Sequence, residues 1–240
     1  VKRKILFWDF DGTLGYRKTG MWGASMLQAL IEYDPNTKLT APDFRQFLMS
    51  GFPWHHPEKS YTYINSAEAW WEPIQRKFVE GFVHYGVPYV DAERLAVNTK
   101  TLFLDKSYWA LFDDTLDTLD ELKNLGWKHV IVSNHVPELG EIIEYLGLKH
   151  KIIDFVNSAL VGYEKPNPSI FQHALSRSGN PKHVWMIGDN FDADVLGAER
   201  IGIRSILVRN TDSRAKYSCK KLKDVISIVE SELKEGTNNS

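Results

Sequence analysis

The sequence predicts an α/β fold, a doubly wound parallel sheet interrupted by an all-helical insert, on three observations. Short apolar runs alternate with amphipathic helical segments from Asp113 onward, the pattern of right-handed β-α-β crossovers. One more apolar run of the same kind, Ile5 to Trp8, stands alone near the start of the chain. Between them, residues 16–105 carry helical periodicity and no convincing strand. The expected organisation is therefore a core built from residues 1–15 and 106–240, with residues 16–105 as an inserted helical module.

Ile5 to Trp8 reads as a strand buried on both faces, ending in Asp9, Phe10, Asp11, Gly12 and Thr13. In the insert, Met21 to Tyr33 places Trp22, Met26, Leu27, Leu30 and Ile31 on one helical face, and Asp34-Pro35-Asn36 stops it. A second helix is expected from Ala41 to Met49, with Thr40 as N-cap and Pro42 in its first turn. Ser50 to Tyr61, with two prolines and a glycine, reads as a long irregular link of the kind that often carries function. Helices from Ser66 to Tyr85 and from Asp91 to Phe103 complete the insert.

In the core, Asp114 to Leu125 is expected to be a helix with Leu116, Leu119, Leu122 and Leu125 on one face, acids at its start and Gly126 just past its end. Strands are then expected at His129 to Val132, Ile152 to Val156, His183 to Ile187 and Ser205 to Val208. Helices at Pro137 to Leu146, Pro168 to Arg177 and Ala193 to Ile201 alternate with them. A last helix, Leu222 to Leu233, precedes an end expected to fray from Gly236 to Ser240. Ligands of such sheets bind at the carboxyl ends of the strands, near the topological switch point.

Composition narrows the partners. With 43% apolar residues among 240, the chain can fill a substantial core. Lys plus Arg number 29 against 31 Asp plus Glu, a formal charge of -2, so no global basic field points to nucleic acid or an anionic membrane. A small-molecule partner is expected. No apolar run approaches the ~18 residues of a membrane span, and Lys2-Arg3-Lys4 precedes too short an apolar stretch for a signal peptide. A single cysteine, Cys219, in a lysine-rich run, makes a poor nucleophile and fits a reducing compartment, so a soluble cytoplasmic chain is expected. Monomer and homodimer are not distinguished.

Two acids one residue apart cannot both leave a regular strand on one side unless the chain turns, which Gly12 permits. Three further stretches place complementary groups beyond or between the later strands. Ser133 and Asn134 follow one strand. Lys165 precedes Asn167 and Pro168, a helix start whose positive end favours an anion. Gly188 to Asp194 follows another strand with three acids, and either Asp192 or Asp194 can cap the next helix while the other faces a site.

In that order these four stretches resemble the motifs of the haloacid dehalogenase-like (HAD) hydrolase superfamily, over about residues 4–14 and 110–208. The resemblance implies a Rossmann-like core with a helical C1 cap that closes over the site and contacts the leaving group. It implies that Asp9 is the nucleophile forming an aspartyl-phosphate, and that Asp11 protonates the leaving alcohol and later activates water. Dehalogenases of this fold lack the second acid, so Asp11 favours a phosphohydrolase. Ser133, Asn134 and Lys165 are implied to bind phosphate. Mg²⁺ would be shared by Asp9, Asp189 and the carbonyl of Asp11, with Asp194, selected by the family spacing, in support. Family members often carry Ser and Asn where this chain has Asn190 and Ala193.

The resemblance is to the phosphoglycolate phosphatase and nucleotidase branches, and the expected substrate is a small phosphate monoester. The alternatives are a phosphomutase, which passes the phosphoryl group to a second sugar hydroxyl, and a binding or regulatory protein without turnover. His135 falls where the family varies and is read as substrate-proximal. Trp54, His55, His56, Tyr61, Tyr63, Trp70 and Trp71 are read as core of the insert or as surfaces for stacking on a ring. His55 and His56, without a third ligand, make no metal site.

Overall fold

The computed structural model describes residues 4–238, with side chains as far as Lys234. The chain divides into two compact units, Val1–Tyr16 with Ala110–Ser240, and Arg17–Trp109. Strand β1 (Lys4–Trp8) opens the first, its last four residues fully buried. A short strand, β2 (Gly15–Arg17), follows where the periodicity reads as helix; three residues are too few to register a two-residue alternation.

The second unit is helical: α1 (Trp22–Tyr33), α2 (Arg45–Leu48), α3 (Ala67–His84) and α4 (Tyr89–Leu104). The single helix expected from Ala41 is instead a 3₁₀ turn, Ala41–Phe44, running into α2. The Asp43 N–H bonds the Thr40 carbonyl at 3.0 Å, while the Asp43 carboxylate accepts from the Thr40 N–H and hydroxyl at 2.7 Å each. This i to i+3 closure winds the first turn tighter than an α-helix. Ser66 caps α3 by accepting from Ala69 N at 3.1 Å.

Aromatic packing holds this unit together. Trp22 stacks on Phe103 at 3.8 Å with the rings 5° apart, and Phe52, Trp70, Trp71 and Phe78 are buried around them. Tyr63 is 75% exposed, and His56 faces solvent beside Glu58 at 3.3 Å. Of the aromatic run Trp70 and Trp71 are core, Trp54, His55 and Tyr61 are half-buried, and His56 and Tyr63 are exposed.

Returning to the first unit, β3 (Trp109–Leu111) pairs with β2, and α5 (Thr115–Asn124) leads into β4 (Trp127–Ser133). Leu119 and Leu122 of α5 are buried, but Leu116 and Leu125 are 39% and 41% exposed. A three-residue spacing drifts around a helix of 3.6 residues per turn, so four such leucines cannot share one face. Helix α6 (Leu139–Tyr145), β5 (Asp154–Asn157), α7 (Ser158–Val161), α8 (Pro168–Arg177) and β6 (His183–Gly188) follow. Strand β5 starts two residues late because Ile153, 54% exposed, lies in the approach to the sheet.

After β6 the expected regular helix is replaced by a π turn, Phe191–Leu196, and a short α9 (Gly197–Glu199). Such wide turns recur at functional sites. Strands β7 (Arg204–Val208) and β8 (Ser218–Cys219) and helix α10 (Val225–Asn238) close the chain. Of the segment expected to fray, residues 236–238 continue α10, and Asn239 and Ser240 lie outside the described residues.

The sheet order is β5-β4-β1-β6-β7-β8, and every pair in it is parallel. In chain order β1 leads leftward to β4 and β5, then the chain returns to the other side of β1 for β6 to β8. The switch point therefore lies between β1 and β6, where a ligand crevice is expected. Ile5, Phe7, Val130, Val132, Val156 and Met186 form one face of the sheet's core, covered by Ile170, Phe171 and Ala174 of α8. Among the described residues no helix is long and apolar enough to cross a membrane.

Candidate active site

Register brings three strand ends level. Trp8 pairs with Ile131 on one side and Ile187 on the other, so Asp9, Ser133 and Asp189 all emerge at the carboxyl edge of the sheet. The Asp9 N–H continues the ladder to Ile187 O at 2.9 Å, which fixes the backbone where the acid begins. Gly12, at φ +78°, then turns the chain, and a Cβ there would sit 2.4 Å from Asp189 Oδ2. Glycine is needed twice over, for the left-handed backbone and for the close approach of the carboxylate.

Asp9 is 7% exposed, and its Oδ1 accepts from Ser133 Oγ at 3.0 Å and from Lys165 Nζ at 2.6 Å. Both bonds fall on one oxygen, so Oδ2 keeps its full capacity to attack or to coordinate. The same ammonium donates to Asp194 Oδ1 at 2.6 Å, and Asn190 N–H donates to Asp194 Oδ2 at 3.0 Å. A Cβ on Gly188 would lie 2.1 Å from that Oδ2, so Gly188 is what lets Asp194 occupy this place. Neither Asp192 nor Asp194 caps the turn. Asn190 does, accepting from Ala193 N at 3.0 Å, and both oxygens of Asp194 are engaged within the site.

Asn134 lies beside these groups with its amide paired to the backbone of Lys165. Its Nδ2 donates to Lys165 O at 2.9 Å, and Lys165 N–H donates to its Oδ1 at 2.7 Å. Its side chain therefore positions the lysine, while the Ser133 hydroxyl touches Asp9 directly. Burial pulls the Lys165 ammonium down, but the Asp194 and Asp9 carboxylates overcome this and hold it above its ordinary pKa, fully charged.

The acids respond to one another. Burial, then the Asp9 charge, push Asp189 up to about 6, with Lys165 opposing. Burial likewise raises Asp194, with Lys165 again opposing and Asp9 adding to the rise. Asp11 is raised well above the usual carboxylate range, first by burial and then by Asp9 and Asp189. Its Oδ1 is buried without a hydrogen-bond partner, and its Oδ2 lies 3.6 Å from His135 Nε2. Burial lowers His135 to about 4, leaving a neutral ring.

Two residues beyond the sequence reading complete the surroundings. Glu164 is 1% exposed, one of its oxygens has no partner, and burial lifts it to about 7 against the Ser158 hydroxyl and Lys165. Arg209 donates to Thr13 O at 2.9 Å and pairs with Asp114, its guanidinium 3.8 Å over the Phe112 ring. Neither had a local signal: one acid beside a lysine and one arginine after a strand are common surface patterns.

The haloacid dehalogenase-like hydrolase pattern matches residues 3–202. The chain belongs to that family. It is similar to the glyceraldehyde 3-phosphate phosphatase of Methanothermobacter thermautotrophicus, at 37% identity over 129 residues, 52% of this chain and 57% of that protein. The chain thus spans just over half the length of that curated relative. It is also similar to the human haloacid dehalogenase-like hydrolase domain-containing protein 3, at 27% identity over 219 residues, 85% of this chain and 81% of that protein. The HAD-hydrolase YfnB of Bacillus subtilis, solved bound to magnesium, shares the fold at a TM-score of 0.69 and 21% identity, over 95% of this chain and 99% of that one.

The donor set of this HAD chain suits a hard cation. Asp9, Asp189 and Asp194 each offer a carboxylate oxygen, all within 4.8 Å of one another. Among the described residues Lys165 is the one cation paired with Asp9 and Asp194, so the group keeps an excess of negative charge, which adds to burial in raising Asp189 and Asp11. An all-oxygen, carboxylate-rich set with room for substrate oxygens is what Mg²⁺ prefers.

Proposed function

We propose that the protein is a Mg²⁺-dependent phosphohydrolase that cleaves a small-molecule phosphate monoester through an aspartyl-phosphate on Asp9. The observation that carries this reading is Lys165 Nζ bridging Asp9 Oδ1 and Asp194 Oδ1, with a second carboxyl, Asp11, raised well above its ordinary range two residues on. Family membership supports hydrolysis, and the archaeal relative's name supports a small phosphate ester.

Asp9 Oδ2 attacks phosphorus in line with the ester oxygen, while Lys165 and Ser133 hold Oδ1 and thereby set the carboxylate plane. Asp11, whose proton burial and the neighbouring Asp9 and Asp189 charges hold more tightly than usual, gives that proton to the departing alcohol oxygen. The Asp11 carboxylate then takes a proton from water, which attacks phosphorus, frees phosphate and restores Asp9. Asp9, Asp189 and the Asp11 carbonyl would hold Mg²⁺, which when bound supplies charge neutralisation for the approaching dianion. Asp194, with both oxygens engaged, anchors Lys165. On this reading the helical unit is the family's cap and carries substrate preference, and an exchange of Phe52 to Tyr63 alters that preference.

Phosphate release from a panel of sugar phosphates, nucleotides and three-carbon phosphates, with and without Mg²⁺, tests the proposal. Metal-dependent release without any bisphosphate activator supports a hydrolase. Activity that appears only with such an activator, with the phosphoryl group recovered on a sugar, would replace it with a mutase.

A further inference from the structure

Arg209, one residue past β7, holds a left-handed backbone at φ +59°. Among the described residues the only other non-glycine at positive φ is Asn180, a type that tolerates that region, whereas a long side chain there is uncommon. Such a conformation persists where the surroundings over-determine it, and here they do. The Arg209 N–H donates to Cys219 O at 2.9 Å, which fixes the backbone against β8. The side chain, 17% exposed, reaches three groups distant in sequence. Its Nε donates to Thr13 O at 2.9 Å, its Nη2 pairs with the Asp114 carboxylate, and its guanidinium carbon lies 3.8 Å from the centroid of the Phe112 ring.

Those three groups belong to the two segments by which the chain leaves the core unit after Tyr16 and re-enters it at Ala110. The segments are also joined to each other. Phe112 N–H donates to Leu14 O at 3.2 Å, Thr115 Oγ1 donates to the same oxygen at 2.8 Å, and the Tyr16 and Phe112 rings lie 4.8 Å apart. The second oxygen of Asp114 accepts from Leu222 N–H at 2.8 Å, so the acid is itself anchored. The outgoing segment begins at the tight turn that carries Asp11. There the Thr13, Leu14 and Gly15 N–H groups all close on Phe10 O at 3.0 to 3.2 Å, so a shift of the Thr13 carbonyl moves the turn as a unit.

We propose that Arg209 is a positioning residue that clasps the two segments at Thr13 and Asp114 and so fixes the Asp11 turn from outside the site. The clasp stands on the geometry alone, while its catalytic consequence rests on the phosphohydrolase reading. A guanidinium suits the place because one flat group stacks on a ring while donating in two directions. An ammonium on a straight stem cannot keep all three contacts.

The test compares the full chain with Arg209→Lys and Arg209→Ala at a temperature where all three are folded. In the resting protein, hydrogen exchange read by mass spectrometry is expected to quicken in both variants over residues 10–16 and 110–116 and to stay unchanged in β5 and α8. Unchanged exchange in those two segments, or equal quickening throughout the chain, would overturn the proposal. With glycerol 3-phosphate and Mg²⁺, both variants are expected to lower kcat about 10- to 100-fold, the scale of a misplacement of about 1 Å, and to change KM less than about threefold. KM is spared because Ser133 and Lys165 keep their places around Asp9. Methylguanidinium, which can occupy the place of the lost group, is expected to restore both kcat and slow exchange in Arg209→Ala, but neither in Arg209→Lys, whose stem fills the space. A loss of kcat that methylguanidinium does not rescue would overturn the proposal in favour of a general contribution to stability. If wild type released no phosphate from any ester of the panel above, the phosphohydrolase reading would fail, and hydrogen exchange would still decide the clasp.

Discussion

Lys165 Nζ and Asp9 Oδ1 meet at 2.6 Å across 156 residues of sequence, with both side chains almost wholly removed from solvent. A buried ammonium is costly unless paired, and this one is paired twice, to Asp9 and to Asp194. The lysine therefore ties the strand end of β1 to the π turn after β6. It also neutralises part of the charge that an incoming phosphate dianion would meet.

Removing that cation should be severe. Lys165→Met leaves Asp9 and Asp194 buried and uncompensated, and urea denaturation at pH 7 is expected to show a loss of about 3–5 kcal/mol. Burial raises Asp194, and its protonation on acidification relieves the repulsion, so the loss is expected to shrink at pH 5. An equal loss at both pH values would contradict the charge argument.

The acidic cluster should bind Mg²⁺ measurably in the absence of substrate. Thermal denaturation with added Mg²⁺ is expected to raise the midpoint of wild type, by mass action on the folded state, and to leave Asp189→Asn nearly unmoved. A metal-independent midpoint in wild type would count against the cation.

Two buried groups of opposite sense pull stability in opposite directions over nearly the same range, about pH 4 to 7, so they largely offset one another in wild type and each is read from its own variant. Glu164 is raised from 4.5 to about 7, so the unfolded chain ionises first and stability drops as pH rises through that window. His129 accepts from Trp8 Nε1 at 3.0 Å on Nδ1 and faces Leu119 O at 2.9 Å with Nε2. Burial lowers it from 6.5 to about 4, so stability is lost as pH falls from 6.5 to 4. Each window is worth on the order of 3 kcal/mol. Glu164→Gln is expected to stabilise the protein by up to that amount at pH 8 and by little at pH 4.5. A constant difference across that range would show that Glu164 keeps its ordinary pKa.

What could be read from the sequence follows from the range of each interaction. The alternation of strands and helices after Asp113 is a local signal, and the parallel sheet it implies is present. Asp9 and Asp11 stand out because an apolar run breaks into acids and a glycine, and Lys165 because it precedes a capped helix start. The capping of the π turn by Asn190 was not legible, since both nearby aspartates are equally good caps by type. The pairing of Asn134 with the Lys165 backbone, 31 residues away, depends on tertiary approach and leaves no periodic trace. The same is true of Gly188, whose missing Cβ matters only because Asp194 lies against it, and of Glu164, whose burial nothing in its neighbours announces.

The central claim is that Asp9 carries the phosphoryl group. Its most direct measurement is rapid acid quench of the enzyme mixed with its best phosphomonoester and Mg²⁺, followed by mass spectrometry of the peptide containing residues 4–14. A phosphoryl adduct on Asp9 that disappears as phosphate is released is expected, with neither adduct nor release in Asp9→Asn. Turnover that persists in Asp9→Asn, with no adduct in wild type, would contradict it.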